Sequence, residues 1–426
     1  MILFTSTGLL LLLSLSVPVG IVLFLLAFGI DLFFSPFPLM RGLGQIVWSS
    51  SNSATLIAIP FFVLLGEVLV RSGVARRTYA ALESWVSWMP GGLIHANVAT
   101  ATLFSATSGS SVATAATVAA VAMPQAEKLG YDPKLFSGAI AAGGTLGIMI
   151  PPSINLIVYG FLTETSIPQL FMAGIVPGLL LAVLFMMITA ALCIWRPSLG
   201  GPGISASWAR RMSGLVDLLP LLGLFAAIVG SIYAGWATPT EAAAIGVGIS
   251  MAIAAFHKSL SMSMLIESLK GTVRTTAMIM LVVIGAYVLN FVLTAAGVSR
   301  ALQEVLQNLG LGTLGTLLVI VLMYIVLGFF IETLSLMVAT IPIVVPIIEQ
   351  LGYDKLWFGI LMILLVEMAL ITPPVGLNLY VVQAARKSGS FTDVMIGAMP
   401  YAFAMLLMVA ALIALPSIAL FLPGSF

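Results

Sequence analysis

Residues 143–155 read GGTLGIMIPPSIN, and residues 368–378, far along the chain, read MALITPPVGLN. Both are apolar stretches fit to cross a membrane, and each carries a proline pair at its centre. Proline has no N–H to give to a helix, and its ring clashes with the preceding turn. It also pushes the residue before it out of the α region. Between Lys134 and Glu164 lie 29 uncharged residues, about 44 Å as one continuous helix. Pro151 and Pro152 forbid that continuity, so the segment reads as helix, unwound tip, helix. Carbonyls just ahead of the prolines lose their intrahelical donors. In hydrocarbon each such group costs several kcal/mol unless protein, water or an ion satisfies it.

The surrounding chain leaves lipid as the solvent. Of 426 residues, 61% are hydrophobic and only 7% charged, against roughly 25% charged in a soluble domain. Uncharged runs at 1–30, 165–195, 275–299 and 394–426 each supply the ~20 apolar residues of a spanning helix. Such segments add up to about ten to twelve passes, an all-α polytopic membrane protein. The first, from about Thr7 to Ile30, lacks a basic n-region and a small-residue cleavage site. It reads as a retained first helix, not a signal peptide.

The net charge of +1 offers nothing to nucleic acid, and the lone Cys193 forms no intrachain disulfide. His95 and His257 are the only histidines, and without H-E-x-x-H or a Cys/His cluster no transition-metal centre is expected. Neither a phosphate-binding G-x-x-x-x-G-K-[ST] nor a nucleotide-binding domain is present, so an ion gradient or a partner must supply the energy. One G-x-G-x-x-G occurs at Gly310, Gly312 and Gly315. No strand precedes it, and it reads as an interhelical turn.

The chain repeats itself. PQAEKLGYD at 124–132 returns as PIIEQLGYD at 346–354, six of nine positions identical at an offset of 222. From each LGYD to its proline pair the spacing is again equal, 19 residues from Asp132 to Pro151 and from Asp354 to Pro373. Two copies of one design are expected, 1–215 with a hairpin and broken helix around 84–164, and 216–426 with its counterpart around 312–386. The stretch 196–213, RPSLGGPGISASWARRMS, reads as the loop between them. Its arginines, with Arg71, Arg76 and Arg77, suggest a cytoplasmic side. Duplication with breaks at equivalent points is the pattern of a secondary transporter.

A small hard cation suits the freed carbonyls, and the half-helix after each break points its positive end at the same spot, which suits a carboxylate. Asn155 and Asn378 follow the breaks, where a side-chain amide can orient such a ligand. Gly143, Gly144 and Gly147 admit a neighbouring backbone. Ahead of each LGYD lies a second broken region: LFSATSGSSVATAATVAA at 103–120 falls in a 43-residue stretch free of Asp, Glu, Lys and Arg. Its SGSS reads as a hairpin tip rich in hydroxyls. The offset maps Ser105–Ser111 onto Leu327–Thr333, LGFFIET, where Gly328 and Thr333 take the glycine and hydroxyl roles.

GGTLGIMIPPSIN, ITPPVGLN, ATPTEAAAIG at 237–246 and IPFFVLLGEVLVRSGVARR at 59–77 resemble the large membrane subunit of the TRAP (tripartite ATP-independent periplasmic) transporters, over essentially the whole chain. The resemblance implies an elevator-type symporter with two inverted repeats, each giving a re-entrant hairpin to a moving domain. It implies Na⁺ as coupling ion, no organic cofactor and an organic acid as substrate. The implied partners are a separate small four-helix membrane subunit and a periplasmic substrate-binding protein. Carried over, the first Na⁺ site comprises Ser105, Ser108, Gly147, Ile150 and Pro151. The offset gives the second as Gly328, Thr333, Ala369, Thr372 and Pro373. Leu327 and Phe330 stand where the first tip has serines, so only their backbones would serve. Ser110, Ser153, Asn155, Glu332 and Asn378 are the candidate substrate contacts.

Thr238, Pro239 and Glu241 in TPTE form a capping box that starts a helix. Glu67, Glu332 and Glu367 lie in or beside apolar segments, where ionisable groups are rare and usually functional. Glu332 falls in the second tip; Glu67 and Glu367 are expected to pair with arginines between domains, with proton coupling left open. His95 reads as structural, and Trp85, Trp88, Trp195 and Trp236 as interfacial anchors. The stretch 261–274 has the composition of a surface amphipathic helix. The expectation is a non-enzymatic, multi-pass inner-membrane subunit of a Na⁺-driven organic-acid importer. The rival readings are a stand-alone Na⁺/carboxylate symporter and a passive channel.

Overall fold

The computed structural model describes residues 2–15, 17–35, 38–53, 55–201, 206–297, 310–386 and 389–425. Its ordered elements among these are helices. The N-terminal run folds as two, α1 (Ile2–Ser14) and α2 (Val19–Phe34), parted at Pro18. The single helix expected across Thr7–Ile30 is thus broken, because Pro18 has no N–H for the carbonyl a turn behind it. A short α3 (Leu43–Ser51) leads to α4 (Ala58–Arg71) and α5 (Val74–Val86). Those two meet at 69° around Gly73, whose φ of 76° makes the corner.

The first hairpin is α6 (Leu93–Ser108) and α7 (Ser111–Leu129), followed by the broken pair α8 (Pro133–Met149) and α9 (Ile154–Thr163), bent by 40°. A long α10 (Ile167–Trp195) closes this half. Of the expected loop at 196–213, residues 202–205 lie outside the described residues. Pro197–Leu199 form a 3₁₀ turn and α11 (Trp208–Tyr233) has already begun at the arginines, so the loop is shorter than its composition suggests. Arg210 reaches Glu83 at 4.0 Å, Arg77 reaches Asp217 at 3.8 Å, and Arg211 Nε donates to the Ser84 carbonyl at 3.1 Å. Arg77, Arg210 and Arg211 therefore share one α5–α11 seam.

After α12 (Pro239–Phe256) comes α13 (Met262–Ala295), a single 34-residue helix. The stretch 261–274 is its first third and not a separate surface helix, since nothing between Ser261 and Ala295 breaks the helical hydrogen bonding. Then follow α14 (Gly312–Gly328), α15 (Thr333–Gln350), α16 (Lys355–Ala369), α17 (Leu377–Ala385), α18 (Phe391–Ala414) and α19 (Ser417–Leu420). Shifted by the offset of 222, the starts of α7 and α8 fall on the first residues of α15 and α16.

The recurring LGYD has a local explanation. Gly130 and Gly352 take φ of 68° and 82°, the left-handed conformation that ends a helix at low steric cost. Two residues on, Asp132 caps α8 by accepting from Lys134 N at 2.9 Å and Leu135 N at 2.8 Å. Asp354 does the same for α16 from Leu356 N at 2.6 Å. The motif is a stop followed by a start. Other lone prolines, unlike Pro18 and the pairs, are tolerated: Pro124, Pro177, Pro220 and Pro400 sit inside helices that continue past them. One lost donor can be compensated by neighbouring groups; two in succession, flanked by residues barred from the α region, cannot.

Every residue from Leu135 to Met149 on α8 and from Leu356 to Ala369 on α16 is buried. A helix apolar on all sides belongs inside a bundle, and these two form its centre. Large apolar side chains are exposed on α2, α10, α11 and α13, among them Leu25, Leu32, Met187, Leu219 and Met278, as expected of faces solvated by lipid. Six helices among the described residues are long and apolar enough to cross a membrane, or up to eight if each bent pair is one span. Shorter apolar helices, α2, α6 and α14 among them, come in addition to these. Trp88, Trp195 and Trp236 are exposed, while Trp85 Nε1 donates to the Arg211 carbonyl at 3.0 Å.

Candidate ion and solute site

The first hairpin turns at Gly109, with φ of 58°, and α7 restarts with Ser110 as its N-cap, accepting from Ala113 N at 3.4 Å. This tip rests on the proline break of α8. A Cβ placed on Gly147 would meet the Ser110 carbonyl oxygen at 2.9 Å and Ser111 Cα at 3.0 Å; one on Gly109 would meet the Pro152 carbonyl oxygen at 3.3 Å. At Gly147 a side chain would force the backbone of the tip to move, and at Gly109 it would be crowded and would have to adopt a positive φ. On the far side, Gly66 of α4 abuts the Ser108 carbonyl, 3.0 Å from where its Cβ would be.

Within this cluster the side-chain hydroxyls are already engaged. Ser105 Oγ donates to the Ala101 carbonyl, and Ser108 Oγ lies 2.6 Å from Thr114 Oγ1. Ser153 caps α9, accepting from Leu156 N at 3.4 Å. A hydroxyl that donates its proton keeps lone pairs for a cation. The backbone adds more: Gly147 and Ile148 carbonyls face prolines where their i+4 donors would be. Ile148 was missed in the sequence reading, although Pro152 four residues on is the signal for it. Ile150 leaves the helix at φ −88°, ψ 123°, with its N–H still on the Leu146 carbonyl at 3.1 Å. All of 150–153 is buried. Hard oxygen donors in a buried segment suit a small monovalent cation. Asn155, second residue of α9, is buried with its Nδ2 lacking a protein partner among the described residues.

The second break repeats the plan with changes. Gly328 ends α14 against Ala369, the last residue of α16; a Cβ on Gly328 would stand 2.6 Å from that of Ala369. Thr333 is the first residue of α15, as Ser111 is of α7. Thr372 Oγ1 donates to the Met368 carbonyl at 2.6 Å. The Ala369 carbonyl receives only a long bond, 3.4 Å from Thr372 N, and the Leu370 carbonyl is satisfied by Asn378 N at 3.1 Å. Pro373 is half-buried and Pro374 exposed, so this break is the more open one. Glu332 is the N-cap of α15, accepting from Leu334 N at 3.1 Å, Ser335 N at 3.0 Å and Ser335 Oγ at 2.9 Å. Those three bonds occupy much of its accepting capacity. Asn378, fully buried, donates Nδ2 to the Ala141 carbonyl of α8 at 3.1 Å.

The two remaining acids correct their expected pairings. Glu67 pairs with Arg71 on its own helix, one turn away, because i,i+4 side chains are neighbours. Glu367 has no basic partner among the described residues; its Oε2 accepts from Ser111 Oγ, and its Oε1 has no protein donor. TPTE is a capping box, with Glu241 N on Thr238 Oγ1 at 3.3 Å and Thr238 N on Glu241 Oε2 at 2.8 Å. Gly310 and Gly312 take positive φ at the entrance to α14, a turn. His95 is buried with Nε2 at 2.7 Å from the Pro90 carbonyl.

This architecture, apolar helices with matched breaks meeting at the centre of the bundle, has a solved counterpart. The YdaH transporter of Alcanivorax borkumensis superposes with a TM-score of 0.64 over 98% of each chain, at 16% identity, so the two share a polytopic helical fold. Residues 7–418 match the family described as tripartite ATP-independent periplasmic transporter, DctM component, and the chain belongs to that family. A C4-dicarboxylate TRAP large permease of Pseudomonas aeruginosa is 35% identical, covering 92% of this chain and 91% of its own. A sialic acid TRAP large permease of Vibrio cholerae is 32% identical over 88% and 87%. An ectoine TRAP large permease of Halomonas elongata is 32% identical over 91% of each. The chain is thus a TRAP large permease, a multi-pass protein of the inner membrane.

Proposed function

We propose that this permease moves an organic acid inward together with Na⁺, by an elevator motion of two inverted repeats, 1–215 and 216–426, working with a small four-helix membrane subunit and a periplasmic substrate-binding protein. The observation that carries the reading is the contact of the 109–111 tip with Gly147 and Pro152, beside carbonyls whose helical donors the proline pair removes. Na⁺ takes these oxygens together with Ser105, Ser108, Ile150 and Pro151. Its second position lies at Gly328, Thr333, Ala369, Thr372 and Pro373.

The N-termini of α7 and α9 lie at this contact, where Gly109 stands against Pro152 and Ile154, and their backbone N–H groups favour a carboxylate there. Ser110, Ser153, Asn155 and Asn378 orient it, and Glu332 shapes the second tip. C4-dicarboxylate, sialic acid and ectoine, which name three of the relatives, all bear a carboxylate. This supports a carboxylate substrate, with selection among acids left to the binding protein. The arginine-rich α5–α11 seam is assigned to the cytoplasmic side.

The test is uptake into proteoliposomes with each protein component and each cation omitted in turn. Uptake should require Na⁺ and both partners. Uptake by this chain alone would replace the tripartite reading with a stand-alone symporter. Non-saturating flux indifferent to the Na⁺ gradient would replace it with a channel.

A further inference from the structure

Among the buried side-chain bonds that cross between the halves of the chain, two lie beside the breaks. Ser111 Oγ on α7 donates to Glu367 Oε2 on α16, and Asn378 Nδ2 on α17 donates to the Ala141 carbonyl on α8. The first joins the moving parts most directly. Ser111 is the last residue of the tip, and its Cα is one of the atoms facing Gly147 at the first break. Glu367 stands two residues ahead of Ala369, which faces Gly328 at the second. This bond therefore joins a residue packed on Gly147 to one two residues from Ala369.

We infer that Glu367 is a positioning residue that couples loading of the first ion site to loading of the second through Ser111. The inference rests on the sodium reading above. Glu367 is wholly enclosed, and among the described residues Ser111 is its only hydrogen-bond donor. Parting the two would leave a carboxyl group without any donor in a place water does not reach, which is strongly unfavourable. The tip and α16 consequently keep their relative position, and a cation that draws the tip onto Gly147 also sets the approach of Ala369 to Gly328. The second bond works in the same sense: Asn378, which donates to α8, also satisfies the Leu370 carbonyl with its own N–H at 3.1 Å.

The experiment is the Na⁺ dependence of uptake by the complete transporter in proteoliposomes, for wild type, Glu367→Ala, Ser111→Ala and Glu367→Gln. Two coupled sites give a Hill coefficient approaching two, and uncoupling them lowers it to about one. Both alanine variants should show that loss while keeping Na⁺-dependent uptake. Glu367→Gln, whose amide oxygen still accepts from Ser111, should restore cooperativity. Amide exchange over 111–115 should rise in Glu367→Ala, although the substitution lies on another helix. Wild-type cooperativity in Ser111→Ala overturns the inference. So does a Gln variant as impaired as Ala, or unchanged exchange at 111–115. A wild type indifferent to Na⁺ would instead overturn the sodium reading, and this coupling with it.

Discussion

Gly328 and Ala369 meet so closely that a methyl group on the glycine would stand 2.6 Å from the alanine's own. Neither partner is a flexible side chain that could swing aside, so the second tip and the second break are fitted to each other at a single carbon. Gly328→Ala should therefore separate them, an overpacking cost of about 1–3 kcal/mol. If that cost falls on the loaded state, the Na⁺ half-saturation should rise roughly tenfold. Uptake measured against Na⁺ concentration checks this, and an unchanged half-saturation in well-expressed protein would remove the second site from these residues.

Gly147→Leu is predicted to be more severe. Its new side chain would push on the Ser110 and Ser111 backbone, which cannot yield without moving the whole tip. Membrane insertion should persist, because the change adds apolar volume. Na⁺ dependence should weaken by an order of magnitude or more. A variant with wild-type Na⁺ affinity would show that the first cation does not sit here.

Asn155→Ala separates function from folding. Its Nδ2 is buried and satisfies no protein acceptor among the described residues, so deleting it removes little that holds the fold together. Thermal stability should stay close to wild type while the substrate concentration for half-maximal uptake increases. The converse, lowered stability with normal uptake kinetics, would make Asn155 a packing residue.

Glu67→Gln should do little. The Glu67–Arg71 pair is partly exposed and lies within one helix, a class of interaction worth about 0–1 kcal/mol. Uptake within about twofold of wild type is expected, given that value. A collapse of transport would instead mark Glu67 as part of the ion path, where its carboxyl packs against Gly271 of α13.

Asp132→Ala and Asp354→Ala test the helix starts. Each removes a cap bonded to two backbone N–H groups, a loss of about 1 kcal/mol. Both should lower the thermal midpoint in detergent, with Asn at either position recovering most of it.

Much of this architecture could be read from residues close together in the chain. The proline pairs break α8 and separate α16 from α17 because two successive donors are missing. Asp132 and Asp354 start helices because a carboxylate next to free N–H groups is stabilised, and TPTE builds its capping box for the same reason. Pro18 is a lone proline, like those that other helices continue past, so the division of α1 from α2 was less legible than the paired breaks, and composition favoured one helix. The register between the tips also came through: Ser111 and Thr333, one offset apart, both open their helices.

Pairings between distant segments lay outside that reach. Glu367 was expected to meet an arginine and meets Ser111, 256 residues away; Asn378 reaches Ala141 across 237 residues. Helix breaks, caps and membrane residence follow from backbone chemistry within a turn or two and from total apolar content, so the order of residues suffices to determine them. Which buried oxygen faces which hydroxyl depends on how whole helices stack. Many side chains of similar character compete for those positions, and only the packed bundle selected among them.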